Sequence, residues 1–412
     1  VSMKYVIIGN SAAAIGAVEA IRKTDRTGQI LILSSEPYHT YSRPLISYLL
    51  LGKTTEEKML YRDRDFYERM HCDFRPNTTV VKLDPEQKQV LLADGSAESY
   101  DRVLVATGSS PFVPPMAGLD TVEHKTTFGS LEDAKRLSGM IDSRSRVLII
   151  GAGLIGLKCA EGIADTVKSI TVVDLAPRVL SSILDDAASA RIKHYLEQHD
   201  LRFFLGESVK EFSGNTATLT GGGQIEFDCL VLAVGVRANT ALVKDAGGAV
   251  GRGITVDDHM RTSLPEVYAA GDCTESMDCA EQQIKIMALL PNAYMQGACA
   301  GANMAGQEAV FDTAIPMNSI GLFGLHMMTA GSYHGETFVQ DDGTGFKELF
   351  YENDRLCGYI LIGDIHRAGI YTAMIRNRTP LRSVDFDLLC REPELMAFSQ
   401  ADRKVMLGGR EK

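Results

Sequence analysis

Short apolar, β-branched runs that end in glycine recur along this chain and alternate with helix-like stretches. Val147–Ile150 is one such run. It closes on Gly151-Ala-Gly153-Leu154-Ile155-Gly156, and a helix pattern follows through Ala164, then a second run over Ser169–Asp174. A short continuous apolar run bounded by glycine predicts a strand buried on both faces, as in a parallel sheet. Lys4–Ile8 repeats the pattern about 140 residues earlier, followed by Gly9-Asn-Ser11-Ala12-Ala13-Ala14, an Ala-rich helix over Ala12–Arg22 and a strand over Ile30–Leu33. Asp101–Gly108 and Asp228–Gly235 are near copies of each other, strands that run into Ala106-Thr107-Gly108 and Ala233-Val-Gly235. Val267–Ala270 is a third strand of this kind, ending in Gly271-Asp272. Leu131–Met140 reads as a helix, and Gly221-Gly-Gly223 signals a hairpin. From about Ile315 the pattern changes to strands joined by Gly-rich turns, such as Lys347–Tyr351 and Leu356–Ile362, and then an amphipathic helix over His366–Arg376.

The glycines at 151, 153 and 156 have the spacing of a dinucleotide cradle. The first permits a tight turn, the second lets a pyrophosphate reach the backbone, and the third lets helix and strand pack closely. A helix N-terminus behind them offers unpaired N–H groups to phosphate. Asp174 ends the next strand, 23 residues after Gly151, where an acid accepts hydrogen bonds from an adenosine ribose. The first motif is a worn version of the same device. Gly9 is kept, Ser11 and Ala14 replace the second and third glycines with small residues, and Glu36 stands in the place of the ribose-binding acid. Two such units in one chain predict two bound nucleotides.

Composition narrows the partners. The 412 residues are enough for two or three domains, and 42 basic against 53 acidic residues give a net charge of −11, which argues against nucleic acid and anionic membrane as partners. No stretch approaches the roughly 20 apolar residues needed to span a bilayer. The N-terminus runs straight into a strand, so no signal peptide is expected. The eight cysteines are scattered and form neither a C-x-x-C pair nor a metal-ligand cluster, so no metal is expected, and a reducing cytoplasm is.

The set of motifs, in this order, resembles the pyridine nucleotide–disulfide oxidoreductase superfamily of flavoproteins over about the first 310 residues. The resemblance implies an α/β fold of two nested Rossmann-like, three-layer nucleotide domains plus a C-terminal α+β domain that often forms a subunit interface. FAD would bind in residues 1–112 and 242–314, NAD(H) in 113–241, with 315–412 as the interface domain. The segments at Ala106, Thr107, Gly108 and at Gly235 would link the nucleotide domains. Gly271 and Asp272 would meet the ribityl or pyrophosphate part of FAD. Leu290–Gly297, with Asn292 and Ala293 in its first turn and Pro291 at its start, looks like the helix whose N-terminus faces the flavin pyrimidine ring.

Where the disulfide reductases carry paired cysteines, and related oxidases a single cysteine about 42 residues in, this chain reads Tyr41-Ser42-Arg43-Pro44-Leu. No thiol relay is expected. That pattern looks like the branch of NADH:rubredoxin reductases, nitrite reductase flavoproteins and ferredoxin reductases, in which Arg43 and Pro44 would pack against the flavin. A flavin accepts a hydride as an electron pair and releases electrons singly, so the implied partner is an electron-transfer protein: rubredoxin, a ferredoxin-like protein or an iron–sulfur subunit. Many relatives carry a glutamate two positions after the third glycine of the NAD motif, paired with a lysine near the flavin. Here those positions hold Lys158 and, if the alignment has no gap, Tyr48. Lys158 is therefore a candidate cation beside the flavin–nicotinamide contact; the alternative is a solvated helix lysine.

Asp174 would repel a 2′-phosphate, which favours NADH over NADPH. His326, His334 and His366 read as structural or surface residues, and Met287, Met327 and Met328 as core packing. Two alternative functions stay open: an NADH oxidase reducing oxygen, and the FAD/NAD subunit of a multi-subunit oxidoreductase such as an aldehyde oxidoreductase or nitrite reductase. A homodimer is compatible with each.

Overall fold

A computed structural model describes residues 2–279, 281 and 283–408. The chain forms two compact units. One draws on residues up to Pro177, Asp200–Met277 and Gln283–Ala314; the other draws on Arg178–His199 and the chain from Ile315.

The first unit contains two parallel five-stranded sheets with the same plan. In one, the strand order is Val267–Ala269, Arg102–Val105, Lys4–Ile8, Gln29–Leu33, Cys72–Arg75. In the other it is Lys125–Thr127, Cys229–Leu232, Arg146–Ile150, Ser169–Asp174, Leu201–Leu205. The glycine-terminated strand is central in both, with its helix, Ala12–Thr24 or Leu154–Ile163, directly after it. Each sheet also has a three-stranded antiparallel meander in its return connection, Val80–Ser99 in one and Val209–Glu226 in the other; the second contains the Gly221–Gly223 hairpin. The central strands are almost wholly buried, and each fully buried Ile or Leu there contributes roughly 1.5–3 kcal/mol.

The aspartates that open the near-copy strands do the same job twice. Asp101 accepts from the Lys4 backbone N at 2.7 Å, and Asp228 accepts from the Arg146 backbone N at 2.8 Å. Each fixes the register of the strand next to the central one. The strands Ser109–Pro111 and Val236–Ala238 pair antiparallel and form the ribbon through which the chain crosses from one sheet to the other and back.

Helix Leu290–Met304 lies on helix Ala12–Thr24 at backbone contact. A Cβ at Gly297 would run into the Ala13 carbonyl, and one at Gly301 into the Ala17 carbonyl; across the seam, a Cβ at Gly16 would run into the Tyr294 carbonyl. The Arg102 guanidinium caps the far end of helix Leu290–Met304 through the Asn303 and Met304 carbonyls, where the helix dipole favours a cation.

The second unit is built on an antiparallel sheet ordered Met317–Leu322, Leu325–Gly331, Arg355–Ile362, Phe346–Glu352, Glu336–Asp341. Helix Ala368–Arg376 covers it, with Tyr359, Tyr371 and Met374 in the core. Helix Asp186–Glu197 belongs to this unit: Arg191 pairs with Asp341 at 2.7 Å, and the Tyr195 hydroxyl donates to the Phe323 carbonyl at 2.8 Å. Asp185 caps that helix by accepting from the Ala188 N at 2.9 Å. Glu348 is buried nearby, with its Oε2 unpartnered. Burial, then hydrogen bonding and repulsion from Asp185, push its carboxyl up to about 7.

Two outcomes follow from this packing. Gly297→Val forces the two helices apart and costs about 1–3 kcal/mol in a denaturant titration, whereas Gly139→Ala, exposed near the end of helix Leu131–Met140 with open space around it, adds roughly 0.5 kcal/mol. Glu348 has a raised folded pKa, so the stability tied to its protonated form is complete below the ordinary carboxylate range and is lost as pH rises through about 7. In thermal melts, Glu348→Gln should match the wild type near pH 4.5 and exceed it by a few degrees at about pH 8.

Candidate functional site

The two glycine turns have the same backbone geometry. Gly9 has φ +118° and Gly151 φ +116°. A Cβ at Gly9 would collide with the Ala106 carbonyl, and one at Gly151 with the Ala233 carbonyl. Both turns are held by matching bonds: Gly9 N to Leu33 O at 2.8 Å and Ala106 N to Ile8 O at 2.9 Å in one, Gly151 N to Val173 O and Ala233 N to Ile150 O, both at 2.8 Å, in the other. Only glycine fits these first positions, because both the positive φ and the carbonyl exclude a side chain. At the second position Gly153 has open space in front of its Cα, and Ser11 N-caps its helix. At the third, a Cβ on Gly156 would strike the Gly151 carbonyl, whereas Ala14 is wholly buried.

Five described helices run ten residues or more. Ser130 and Asp185 cap two of them with side-chain hydrogen bonds, but the N-termini of Ala12–Thr24, Leu154–Ile163 and Leu290–Met304 have no such bond and no acid in the first turn. The last of these starts with Pro291 in its first turn, as expected from the sequence. These three ends present backbone N–H groups and the positive end of a dipole, the arrangement that holds phosphate and other anions.

Gly271 brings two of the ends together. A Cβ placed on it would lie 3.2 Å from the Ala13 Cβ and 3.6 Å from the Ala293 Cβ. Gln296, buried at 2 % exposure, accepts from the Gly271 N at 2.8 Å and donates to Ser276 Oγ at 3.1 Å. Asn292 is buried beside Ala293. Asp272 follows, near Ser109 Oγ at 3.5 Å; burial pushes its carboxyl up, partly offset by the Arg43 charge and the Ser109 hydroxyl. Arg43 forms an ion pair with Glu36 and donates to the Gly129 carbonyl at 3.3 Å. Burial lowers the Arg43 pKa, but the neighbouring Tyr41 phenol and the Glu36 and Asp272 carboxylates outweigh this and leave it raised. Its side chain is nevertheless 39 % exposed. Pro44 beside it is exposed.

Tyr41 also donates to Glu36 at 3.0 Å and accepts from the Leu131 N at 3.1 Å, so it ties this segment to helix Leu131–Met140. The Thr107–Gly108 segment is stapled by Asn239: Thr107 Oγ1 donates to the Asn239 carbonyl at 2.7 Å, and Asn239 Nδ2 donates to the Thr107 carbonyl at 2.9 Å. The Gly235 carbonyl accepts from Phe112 N at 2.9 Å. In the second motif, Asp174 accepts from Ala152 N at 2.6 Å and Ala176 N at 2.7 Å, which draws the acid toward the glycine turn. Lys158 pairs with Glu161 and is 15 % exposed, so it is not a solvated lysine.

Sequence reasoning missed Gln296, Asn239 and Tyr41. Gln296 lies within the stretch singled out at Leu290–Gly297, but no periodicity marks which of its polar side chains turns inward. Cys273, next to Asp272, is wholly buried, and burial pushes its thiol up to about 11, away from the thiolate form. His326, His334 and His366 are exposed, while Met287 and Met327 are buried.

The comparisons with known proteins agree with this geometry. The family model described as pyridine nucleotide-disulphide oxidoreductase matches residues 3–297. The epsilon subunit of NADH-dependent phenylglyoxylate dehydrogenase from Aromatoleum evansii is 32 % identical over 397 residues, covering 92 % of this chain and 94 % of its own length. The nitrite reductase [NAD(P)H] of Bacillus subtilis is 29 % identical over 92 % of this chain, and the chain spans 48 % of that protein's length. Among solved structures, the covalent putidaredoxin reductase–putidaredoxin complex superposes with a TM-score of 0.88 at 23 % identity, covering 100 % of this chain and 99 % of the matched one, which shows a common fold. No helix among the described residues is long and apolar enough to cross a membrane. The doubled glycine turns, the three bare helix ends and the family match lead to one conclusion: the chain belongs to the pyridine nucleotide-disulphide oxidoreductase family.

Proposed function

We propose that the chain is an FAD-dependent NADH oxidoreductase that passes electrons between NAD(H) and a one-electron protein carrier. The observation that carries this reading is the pair of glycine turns with matching φ and hydrogen bonds, each leading into a helix with no side-chain cap. FAD, when bound, supplies uptake of an electron pair from the nicotinamide and release of electrons one at a time.

In this reading the first turn, Gly9 through Ala14, holds the FAD pyrophosphate on the end of helix Ala12–Thr24, and Glu36 reaches the ribose. Arg43, Pro44, Gly271, Asp272 and the Ala106–Gly108 segment line the flavin cleft. The end of helix Leu290–Met304, at Asn292 and Ala293, would offer the flavin the positive end of a helix dipole. The second turn, with Gly151, Gly153, Leu154, Ile155 and Gly156, holds the NAD(H) pyrophosphate, with Gly235 in the strap beside it. Asp174 takes the adenosine ribose, already aimed by its two backbone hydrogen bonds. We assign FAD to residues 1–112 and 242–314, NAD(H) to 113–241 and an interface role to 315–412. Catalysis consists mainly of positioning one ring against the other.

A second reading places the chain as the NAD(H)- and flavin-binding subunit of a larger oxidoreductase. The near end-to-end match to a dehydrogenase epsilon subunit favours it. Reduction of oxygen is the remaining alternative.

Three assays on FAD-loaded protein separate these readings. NADH should reduce added rubredoxin or ferredoxin under anaerobic conditions, and oxygen uptake without a carrier should be slow; rapid stoichiometric oxygen consumption would favour an oxidase instead. A pull-down from native extract should recover an iron–sulfur protein that the chain reduces with NADH. The ratio of kcat/KM should favour NADH over NADPH by about tenfold or more, because Asp174 repels a 2′-phosphate, and a preference for NADPH would overturn that assignment.

A further inference from the structure

Two acids meet on one face of the second unit's sheet. Glu348 lies on strand Phe346–Glu352, in register with Val339 on one side and Ile360 on the other. Directly opposed residues of antiparallel strands share a face, so this row continues across the sheet through Thr329 to Asn318. Glu348 is 6 % exposed, and its Oε2 has no partner. Its carboxyl shares a hydrogen bond with Asp185, which stands at the head of helix Asp186–Glu197. Two carboxyl groups can share a hydrogen bond only while one of them holds a proton. Asp185 already accepts the Ala188 N–H at the positive end of that helix, which leaves the proton to Glu348.

The groups around the pair do not relieve it. On the segment that carries Asp185, the basic residues Arg178, Arg191 and Lys193 pair with Asp186, Asp341 and Glu197, His194 contacts Gln198, and His199 contacts the Tyr195 carbonyl. On the sheet, Lys347 and Tyr359 alternate to the opposite face, where the Lys347 ammonium donates to the Cys390 and Arg391 carbonyls. His334 stands 3.7 Å from Glu352. Tyr333 donates to the Ile183 carbonyl at 2.7 Å, and burial pushes its phenol up to about 12, so it stays neutral. Among the described residues no basic side chain pairs with Asp185 or Glu348.

We propose that Asp185 and Glu348 form a proton-operated latch that holds the segment Arg178–His199 on the C-terminal sheet, and that opening it weakens NAD(H) binding. Only Leu175, Ala176 and Pro177 separate this segment from Asp174, whose carboxylate holds the Ala176 N at 2.7 Å. The latch stands on the pair itself; its effect on NAD(H) rests on the proposed role of Asp174. While Glu348 keeps its proton, the two acids attract through their hydrogen bond. Once it ionises, two carboxylates face each other where water reaches poorly, and they repel. The ties of Arg191 to Asp341 and of Tyr195 to the Phe323 carbonyl hold the far end of the helix, so the loosening falls on its capped start. Burial, then Asp185, pushes the Glu348 carboxyl up to about 7, so the latch is complete well below that point and opens as pH rises through it.

The test is amide hydrogen exchange of the full chain with FAD added, read by mass spectrometry at about pH 6 and pH 8 and expressed as protection relative to the intrinsic rate at each pH. In the wild type, protection of peptides covering 183–192 should fall about tenfold between the two conditions, while peptides from helix Ala12–Thr24 keep theirs. Glu348→Gln, close to isosteric and unable to ionise, should keep its protection at both. Asp185→Asn, which retains a capping side chain, should flatten the fall as well. The Kd for NAD⁺ should rise about threefold or more from the lower to the higher pH in the wild type and stay level in Glu348→Gln. Equal wild-type protection at both pH values, or a fall that survives in Glu348→Gln, overturns the latch. Exchange that behaves as expected beside an NAD⁺ affinity independent of pH overturns its effect on the site. A chain that binds no NAD⁺ at either pH overturns the proposed function, and the exchange data still decide the latch.

Discussion

Each half of the first unit depends on a glycine whose missing side chain leaves room for a carbonyl from the neighbouring strand. Gly9 meets Ala106 and Gly151 meets Ala233 in the same way, with φ values that differ by only a few degrees. This contact sets how tightly the chain turns after the central strand, and so where the following helix begins and what its open end faces. The two small-residue segments, Ala106-Thr107-Gly108 and Ala233-Val-Gly235, are thus more than linkers. They form the wall against which each turn is folded, and they continue into the ribbon joining the two sheets. One constraint, used twice, places both cradles.

The electrostatics around Arg43 follow from that placement. Bare helix ends and Arg43 supply positive character, while Glu36 and Asp272 supply carboxylates that Arg43 partly balances. The result is mixed rather than uniformly positive, which suits a ligand with phosphates at its middle and neutral, hydroxyl-bearing groups on either side. Such a site discriminates by where each charge lies, not by net attraction, and that is consistent with a protein whose overall charge is −11.

Much of this was legible in the sequence. The central strands, the glycine turns, the helix Leu131–Met140 and the change of pattern near Ile315 all appear where the apolar periodicity places them, because a strand buried on both faces has almost no freedom in composition. The near-copy strands were legible too, although the reason for their leading aspartates, Asp101 and Asp228, is visible only once each is seen binding the first residue of a central strand. What stayed hidden depends on side-chain direction. Gln296 bonding Gly271, Asn239 stapling Thr107 and Tyr41 bridging Glu36 to Leu131 each join residues far apart in sequence, and no local pattern specifies such pairs. The membership of helix Asp186–Glu197 in the second unit has the same origin, since it is fixed by Arg191 and Tyr195 reaching a strand and a turn more than a hundred residues later.

The three helix ends without side-chain caps have a cost as well as a use. None of the three carries the side-chain hydrogen bond of an ordinary N-cap, a contribution of about 1 kcal/mol per end. Ligand that binds only the folded form returns this by mass action. The share of chains in the folded form then rises with the supply of a ligand that fills these ends.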